Sequence, residues 1–434
     1  MYHLAREWLP EADALFAAAF YAVNPYHLLI VYWRSAYAEL LAAALLPLLL
    51  LSLLRLKRPG VRPVLCLSLT LAAAWLTNAP AALMIHYSAA GLAVLLAARE
   101  RSWRLISRAS LAVALGIGLA SFYLLPAIFE EKWINIGEVF GAGVRPQDNF
   151  LFTTLADVDH NRFNLLVSWV AVAEIGIMGL AIWRSSASRS KKDTLWFPLS
   201  AWGVVTTLLM LSISNPLWQY LPKFRFVQLP FRWLLCLNAA LALLLTLAAR
   251  RWLIRALAAA ALLAVLLVGG HRIQAPWWDN ASDIQEMNEA MADGTGNEGI
   301  DEYVPAGADP YELNKDLPRV TDVSGKAVPA QIITWGPIEK HFIVQASQPA
   351  TLALRLFNYP AWQVKVNDRP VKTETMEVTG QMLIPVAAGQ SDVRVRFGRT
   401  LDRNIGDVVS IASLMLLLAA WIKTRHQNAA SAAA

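Results

Sequence analysis

An unexpected set of polar side chains interrupts the first apolar stretch of this 434-residue sequence. The segment NPYHLLIVYWRSAYAELLA, residues 24–42, carries His27, Arg34 and Glu39 among apolar neighbours. A guanidinium offers a fixed fork of donors that matches a phosphate group, so Arg34 is a candidate cation for a phosphate headgroup. Glu39 would then orient the arginine or a substrate hydroxyl. The alternative is that Arg34 only anchors the chain at the membrane interface, and the sequence leaves both open.

A second group of polar residues lies much later in the sequence. The segment FRFVQLPFRWLL places Arg225, Gln228 and Arg232 around Pro230. Arg232 lies just inside the apolar run that follows, so its side chain must reach the interface or find a partner. Anchoring is again the alternative explanation for a single arginine. Two arginine segments on one side of a membrane favour an anion site.

Further polar residues lie in or beside apolar runs. Glu130 stands where a helix is predicted to leave the membrane, as a candidate general base or metal ligand, or as the start of a solvated loop. Glu174 lies midway along an apolar run and should be paired or protonated, facing other helices. Asp157, Asp159 and His160 are metal-ligand types, but their spacing is not diagnostic. The sequence therefore indicates no catalytic motif and no cofactor, and it leaves a divalent metal open without indicating one.

The elements that must position these residues are membrane helices. Hydrophobic residues make up 56% of the chain and charged residues 16%, whereas soluble domains carry about 25% charged residues. Several apolar runs approach the ~20 residues that span hydrocarbon, where the backbone must be helical. Hydropathy predicts about nine or ten membrane segments. The net charge of +6 resides in short basic loops, which is typical of membrane proteins and argues against nucleic-acid binding.

Composition divides the chain into three predicted domains. Residues 1–270 form a multi-helix transmembrane domain, and residues 405–434 form a last membrane helix and tail. Residues 271–404 contain an acidic loop region and then runs of alternating polarity, which predict an antiparallel β-sandwich. Basic loops mark the cytoplasmic side. The sandwich is therefore predicted to be extracytoplasmic, the C-terminus cytoplasmic, and both arginine segments at the outer face.

The motifs resemble those of the bacterial 6-pyruvoyl-tetrahydropterin synthase-related membrane domain. The family pattern Pro-Tyr-His-Leu … Tyr-x-Arg-Gly-Ala-x-Ala-Glu … Pro is matched by Pro25, Tyr26, His27, Tyr32, Arg34, Ala36, Glu39 and Pro47. The sequence departs from the pattern at Ser35, where the family has glycine. VQLPFRWL is similar to a Gln-Phe-Pro-x-Arg motif. LFNYPAWQVKVNDRPV and IPVAAGQSDVRVRF are similar to the β-domain of YfhO-like proteins.

The resemblance implies a GT-C-type integral membrane glycosyltransferase of the bacterial inner membrane, acting on the cell envelope. Its donor would be a polyprenyl-phosphate-linked sugar and its acceptor a glycan or lipid. The resemblance also implies helices before Met1 and a catalytic aspartate in the first outer loop, so we expect that aspartate to lie outside the sequence given. The zinc histidines of the enzyme in the family name are not found, and pterin chemistry is not expected.

A non-catalytic scaffold or transport protein for envelope polysaccharide is the alternative to the enzyme. It predicts no aspartate in the first outer loop, even in a full-length chain. The predicted substrate-binding residues are Tyr26, His27, Arg34, Glu39, Glu130, Gln228 and Arg232.

Overall fold

The computed structural model describes residues 1–186, 195–273, 280–292, 301–309, 312 and 316–433. The chain divides into two compact units. The membrane unit comprises Met1–Ser121, Gly141–Trp278 and Val409–Ala434, and the sandwich unit comprises Phe122–Phe140 and Asp279–Val408. Each unit has its own hydrophobic core.

Helices account for most of the chain outside the sandwich. In chain order they are α1 (Tyr2–Ala5), α2 (Glu11–Ala22), α3 (Pro25–Tyr32), α4 (Tyr37–Arg55), α5 (Arg62–Thr77), α6 (Ala79–Glu100), α7 (Trp103–Leu119), α8 (Ser121–Glu130), α9 (Val158–Ser186), α10 (Trp196–Leu209), α11 (Asn215–Tyr220), α12 (Leu234–Ala248), α13 (Trp252–Ile273), α14 (Ala281–Ala292) and α15 (Leu401–Ala433). Short 3-10 helices at Phe224–Val227 and Pro230–Trp233 precede α12.

Among the described residues, all but one of the long apolar helices and bent helix pairs reach membrane-spanning length and apolarity. The candidate spans are Glu11–Tyr32, Tyr37–Arg55, Ala79–Glu100, Val158–Ser186, Pro230–Ala248, Trp252–Ile273 and Leu401–Thr424. Two bent helix pairs, Trp103–Leu119 with Ser121–Trp133 and Trp196–Leu209 with Ser212–Tyr220, raise the seven spans to nine in the described residues. The exception, α5, is apolar but shorter. The prediction of a polytopic α-helical membrane protein is confirmed.

The first span is divided by a short break with a local cause. α2 ends at Ala22, and Pro25 occupies the first position of α3, where the missing N–H of proline costs nothing. Asn24 caps α3, because its Oδ1 accepts the backbone N–H of Tyr26 at 2.8 Å. The break therefore places a polar capping side chain inside the span.

α12 is the most enclosed of the membrane helices. The buried share of residues is 89% in the span that contains it, against 17% in each of Trp252–Ile273 and Leu401–Thr424. It packs against α2, α4, α9 and α10. Polar side chains on α12, or just before it, therefore need partners from neighbouring helices rather than from lipid or water.

The sandwich unit contains two antiparallel sheets that precede the last helix. Its strands are β1 (Val320–Asp322), β2 (Ala330–Trp335), β3 (Glu339–Ala346), β4 (Ala350–Phe357), β5 (Trp362–Val366), β6 (Arg369–Val371), β7 (Glu374–Thr375), β8 (Gln381–Val386) and β9 (Gly389–Phe397). One sheet has the order β1-β4-β8-β7 and the other β2-β3-β9-β5-β6. The alternation seen in the sequence buries Leu352 and Leu354 from the first sheet with Phe342 and Val393 from the second. The predicted antiparallel sandwich is confirmed.

Candidate functional site

Two of the predicted anion-binding residues, Arg34 and Glu39, lie at the connection between α3 and α4. The connection turns at Ser35, whose φ of 47° lies in the left-handed region. Glu39 lies in the first turn of α4, where the helix dipole favours a carboxylate. Its side chain is only 1% exposed, so it cannot rely on water for solvation. The turn brings Arg34, on the other side of it, back towards this carboxylate.

Glu39 is the common acceptor of a group that we call the arginine–glutamate cluster: Tyr26, Arg34, Glu39 and Arg232. Arg34 Nη1 donates to Oε2 at 2.9 Å and to Oε1 at 3.0 Å. The hydroxyl of Tyr26 donates to Oε1 at 2.8 Å, and Arg232 Nε donates to Oε2 at 3.1 Å. Each carboxylate oxygen thus accepts two hydrogen bonds, which is how a buried carboxylate is stabilised.

Arg232 is held by the irregular backbone that precedes α12. Its Nη1 donates to the carbonyl of Val227 at 2.6 Å and to Gln228 Oε1 at 3.2 Å. The backbone of Gln228 has φ 62° and ψ −60°, the conformation of a strained γ-turn. Such strain costs about 1–3 kcal/mol and is often found at functional sites. The strained turn at Gln228 thus belongs to the segment that holds the Arg232 side chain towards Glu39.

An aromatic side chain borders the cluster on its apolar side. The guanidinium of Arg34 lies 5.6 Å from the ring centroid of Phe231, within the range of a cation–π interaction. The rings of Tyr26 and Phe231 meet edge to face at 6.4 Å. Phe231 itself is buried. The Phe231 ring lowers the local polarity, which strengthens the electrostatic interactions beside it.

The cluster carries more positive than negative charge. Arg34 and Arg232 share the single carboxylate of Glu39, which leaves a formal charge of one positive unit. The two arginine side chains are 13% and 12% exposed. Nε and Nη2 of Arg34 and Nη2 of Arg232 have no hydrogen-bond partner among the described residues. The arrangement can therefore accept an anion that brings its own oxygen acceptors.

A buried arginine elsewhere in the membrane unit, Arg255, provides a contrast. Arg255 Nη1 pairs with Asp13 Oδ1 at 2.5 Å, while its Nε and Nη2 donate to the carbonyls of Ala249 and Thr246 at 2.6 and 3.0 Å. One cation therefore meets one anion, and all three guanidinium nitrogens are used. Arg255 and Asp13 form a structural ion pair, which makes Arg255 a matched control for the arginines of the cluster.

The other predicted binding residues have different surroundings. His27 is buried, meets the ring of Tyr21 edge-on at 4.8 Å, and its Nε2 has no partner in the described part of the chain. Glu130 belongs to the sandwich unit, where its two oxygens each accept a hydrogen bond from Arg403 at 2.7 Å. Thr400 also donates to Glu130, at 3.2 Å. Binding roles for His27 and Glu130 stay predictions.

A further polar group was not predicted as a unit. Asn238 Nδ2 donates to Asn24 Oδ1 at 2.6 Å, and the carboxyl of Glu174 lies beside both amides. The lone asparagine in the apolar run LLCLNAALALLL was the signal available in the sequence. As for metals, within the described ranges no three His, Cys, Asp or Glu side chains form a group that could hold an ion.

The left-handed turn beside the cluster leads to a stability prediction. Ser35→Gly should raise the midpoint of thermal unfolding, because a left-handed backbone costs about 1–2 kcal/mol in a residue with a Cβ and nothing extra in glycine. The gain is reduced by the greater freedom of glycine in the unfolded chain, so about 1 kcal/mol is the upper limit. Ser102→Gly is the control, because its φ of −119° suits serine. Equal destabilisation by both substitutions would contradict the strain argument.

The comparison with known families agrees with this architecture. A family model described as "6-pyruvoyl-tetrahydropterin synthase related domain; membrane protein" matches residues 1–275, well over half of the chain. The match includes both arginine segments and all of the cluster. No curated protein and no solved structure matches the chain. The chain therefore belongs to the 6-pyruvoyl-tetrahydropterin synthase-related family of membrane proteins.

Proposed function

We propose that the arginine–glutamate cluster binds the phosphate of a polyprenyl-phosphate-linked sugar at the outer face of the bacterial inner membrane. The protein would transfer that sugar to a glycan or lipid acceptor, as a GT-C-type glycosyltransferase. The observation that carries this proposal is the sharing of one carboxylate by two arginines, which leaves one positive charge and unused guanidinium donors. A phosphodiester supplies the matching charge and acceptors.

The aromatic side chains near the cluster support a lipid carrier rather than a soluble phosphate. Tyr32 and Tyr37, which flank the turn at Ser35, are 70% and 62% exposed. Tyrosine and tryptophan side chains favour the level of lipid headgroups, where one end is apolar and the other is wet. A phosphate carried by a membrane lipid is held at that same level. The acyl or prenyl chain of the carrier could then remain in the bilayer while its phosphate meets the arginines.

Glycosyl transfer from such a carrier makes a specific demand on the site. Negative charge develops on the leaving phosphate as the sugar departs, and fixed cations in a site of low polarity stabilise that charge. Arg34 and Arg232 are held in place by Glu39, Tyr26, Val227 and Gln228 before any ligand arrives. We assign to the two arginines the binding of the phosphate, and to the sandwich the binding or positioning of the acceptor glycan.

One observation favours the second candidate, a scaffold or transport protein without chemistry of its own. The only carboxylate in the cluster, Glu39, already accepts hydrogen bonds from three side chains. A carboxylate so engaged is a poor general base, because both of its oxygens already accept two hydrogen bonds each and no lone pair points to a free site. Binding of the lipid phosphate is common to both candidates, so it is tested first.

The direct test is binding of a polyprenyl phosphate to the purified protein in lipid nanodiscs. Arg34→Ala and Arg232→Ala should each weaken binding by about 10- to 100-fold, since a hydrogen bond to a charged group is worth roughly 1.5–3 kcal/mol. Arg255→Ala, at the structural ion pair, should leave the dissociation constant of the folded protein unchanged. Equal affinity in the wild type and both cluster variants would remove the basis of the proposal.

A further inference from the structure

The interior of the membrane unit contains a polar group that the proposed function does not use. We call Asn24, Glu174 and Asn238 the interior polar group. Glu174 lies midway along α9 and Asn238 lies on α12, both 0% exposed, and Asn24 caps α3 at 1% exposure. The three side chains therefore join three separate helical elements within the hydrophobic core of the membrane unit.

Several atoms of this group have no hydrogen-bond partner. The carboxyl of Glu174 lies beside the side chains of Asn24 and Asn238 and the backbone N–H of Tyr26. Neither Oε1 nor Oε2 of Glu174 meets hydrogen-bond geometry with a described residue, and the same is true of Asn24 Nδ2 and Asn238 Oδ1. Buried polar atoms are rarely left unpaired, so each of these four atoms needs a partner that matches it as donor or acceptor.

The donor count depends on the protonation state of Glu174. Asn238 Oδ1 can only accept a hydrogen bond, and an ionised carboxylate can only accept as well. A protonated carboxyl supplies an O–H that can donate to Asn238 Oδ1, while its carbonyl oxygen accepts from Asn24 Nδ2. The neutral acid therefore gives the two carboxyl oxygens and both unpaired amide atoms complementary roles.

Cations near Glu174 do not offset a charge on it. Glu174 forms no ion pair among the described residues, and two of the arginines on the elements packed against α9 are committed elsewhere, Arg232 to Glu39 and Arg255 to Asp13. The other titratable side chains on α9 and on the elements packed against it are Tyr26, His27, Tyr32, Asp159, His160, Arg162, Arg184, Cys236, His271 and Arg272. An unpaired ionised carboxylate at 0% exposure is strongly disfavoured, and such groups neutralise instead.

We propose that Glu174 is a membrane-buried proton-binding site, which holds a proton between Asn24 and Asn238 at the break in the first span. The O–H of Glu174 donates to Asn238 Oδ1, and Asn24 Nδ2 donates to the carbonyl oxygen of the acid. When the proton passes to water, the remaining carboxylate competes with Asn24 Oδ1 for the N–H of Tyr26 at the start of α3. Because the Tyr26 hydroxyl donates to Glu39, the proton site and the arginine–glutamate cluster share one short helix.

Infrared spectroscopy of the full chain in lipid tests this assignment. At neutral pH the wild type should show the carbonyl band of a protonated carboxylic acid, sensitive to exchange into heavy water, and Glu174→Gln should lose it. Glu39→Gln is the matched control, because Glu39 is equally buried but paired with two arginines. That variant should keep the acid band and lose intensity from the ionised-carboxylate band.

A second variant keeps the assignment testable if Glu174→Gln does not fold. Asn238→Ala removes the amide oxygen that accepts the O–H of Glu174, so the acid band should move to higher frequency as that hydrogen bond is lost. Two results would overturn the proposal: an acid band that persists unchanged in Glu174→Gln, or a wild-type spectrum at neutral pH without any protonated-carboxyl band.

Discussion

Glu39→Gln should lower the free energy of unfolding of the protein by about 3–5 kcal/mol, the range for breaking a buried ion pair on one side. Glutamine keeps the shape of the side chain but removes the charge that two guanidinium groups share. Arg34 and Arg232 are then left 13% and 12% exposed without a counter-ion. Reversible unfolding in mixed micelles, followed by circular dichroism, measures the loss.

Two comparisons separate this electrostatic cause from general damage. Adding Arg232→Gln to Glu39→Gln removes one of the uncompensated charges, so the double variant should be more stable than Glu39→Gln alone. Asp13→Asn breaks the ion pair of Arg255, but Asp13 is 30% exposed and Arg255 keeps two carbonyl partners, so its loss should be smaller. Wild-type stability in Glu39→Gln would mean that the carboxylate does not balance the arginines.

The same substitution should act in the opposite direction on ligand binding. Without the carboxylate the formal charge of the cluster rises from one to two positive units, which favours a phosphate ligand. A polyprenyl phosphate should therefore restore part of the stability lost in Glu39→Gln, since a ligand that binds only the folded state stabilises it by mass action. Loss of stability with gain of affinity is not expected from a substitution that merely disrupts packing.

The sequence was sufficient for those features that depend on composition and local pattern. Apolar runs of sufficient length predicted the membrane helices, and alternation of polarity predicted the strands of the sandwich, because both patterns report directly which face is buried. The start of α3 is likewise local in origin, because Asn24 caps it and Pro25 occupies its first position. The basic loops predicted that the two arginine segments lie at one membrane face, and the structure brings Arg34 and Arg232 to the same carboxylate.

The sequence could not predict which residues of the cluster contact one another. Arg232 and Glu39 are 193 positions apart, and their contact depends on how α12 packs against α4, which no local pattern encodes. The direction of the Arg232 side chain also depends on the 3-10 helix before α12. A 3-10 helix has 3.0 residues per turn, so it places successive side chains at different angles from those of an α-helix. The pairing of Asn24 with Asn238 has the same origin, because it joins α3 and α12 through tertiary packing.

The largest effect on activity is expected for Arg34→Ala and Arg232→Ala in an assay of sugar transfer. If the two guanidinium groups stabilise the departing phosphate, removal of either should reduce the transfer rate by about 10²–10³-fold, the usual consequence of deleting one donor that meets developing charge. The measurement is transfer of labelled sugar from synthetic polyprenyl-phosphate-linked sugars by the full chain in liposomes. Arg255→Ala should retain the rate per folded molecule, because Arg255 is fully engaged by Asp13 and two carbonyls.

The assay also decides between the two candidate functions, because binding and transfer can fail separately. A transferase should bind the polyprenyl phosphate and move the sugar, and the cluster variants should lose transfer by a larger factor than binding, since charge on the phosphate grows only as the bond to the sugar breaks. A scaffold should bind the same lipid through the same arginines and transfer nothing with any donor. Wild-type transfer by both arginine variants would exclude the cluster from the reaction, even if the protein proves to be an enzyme.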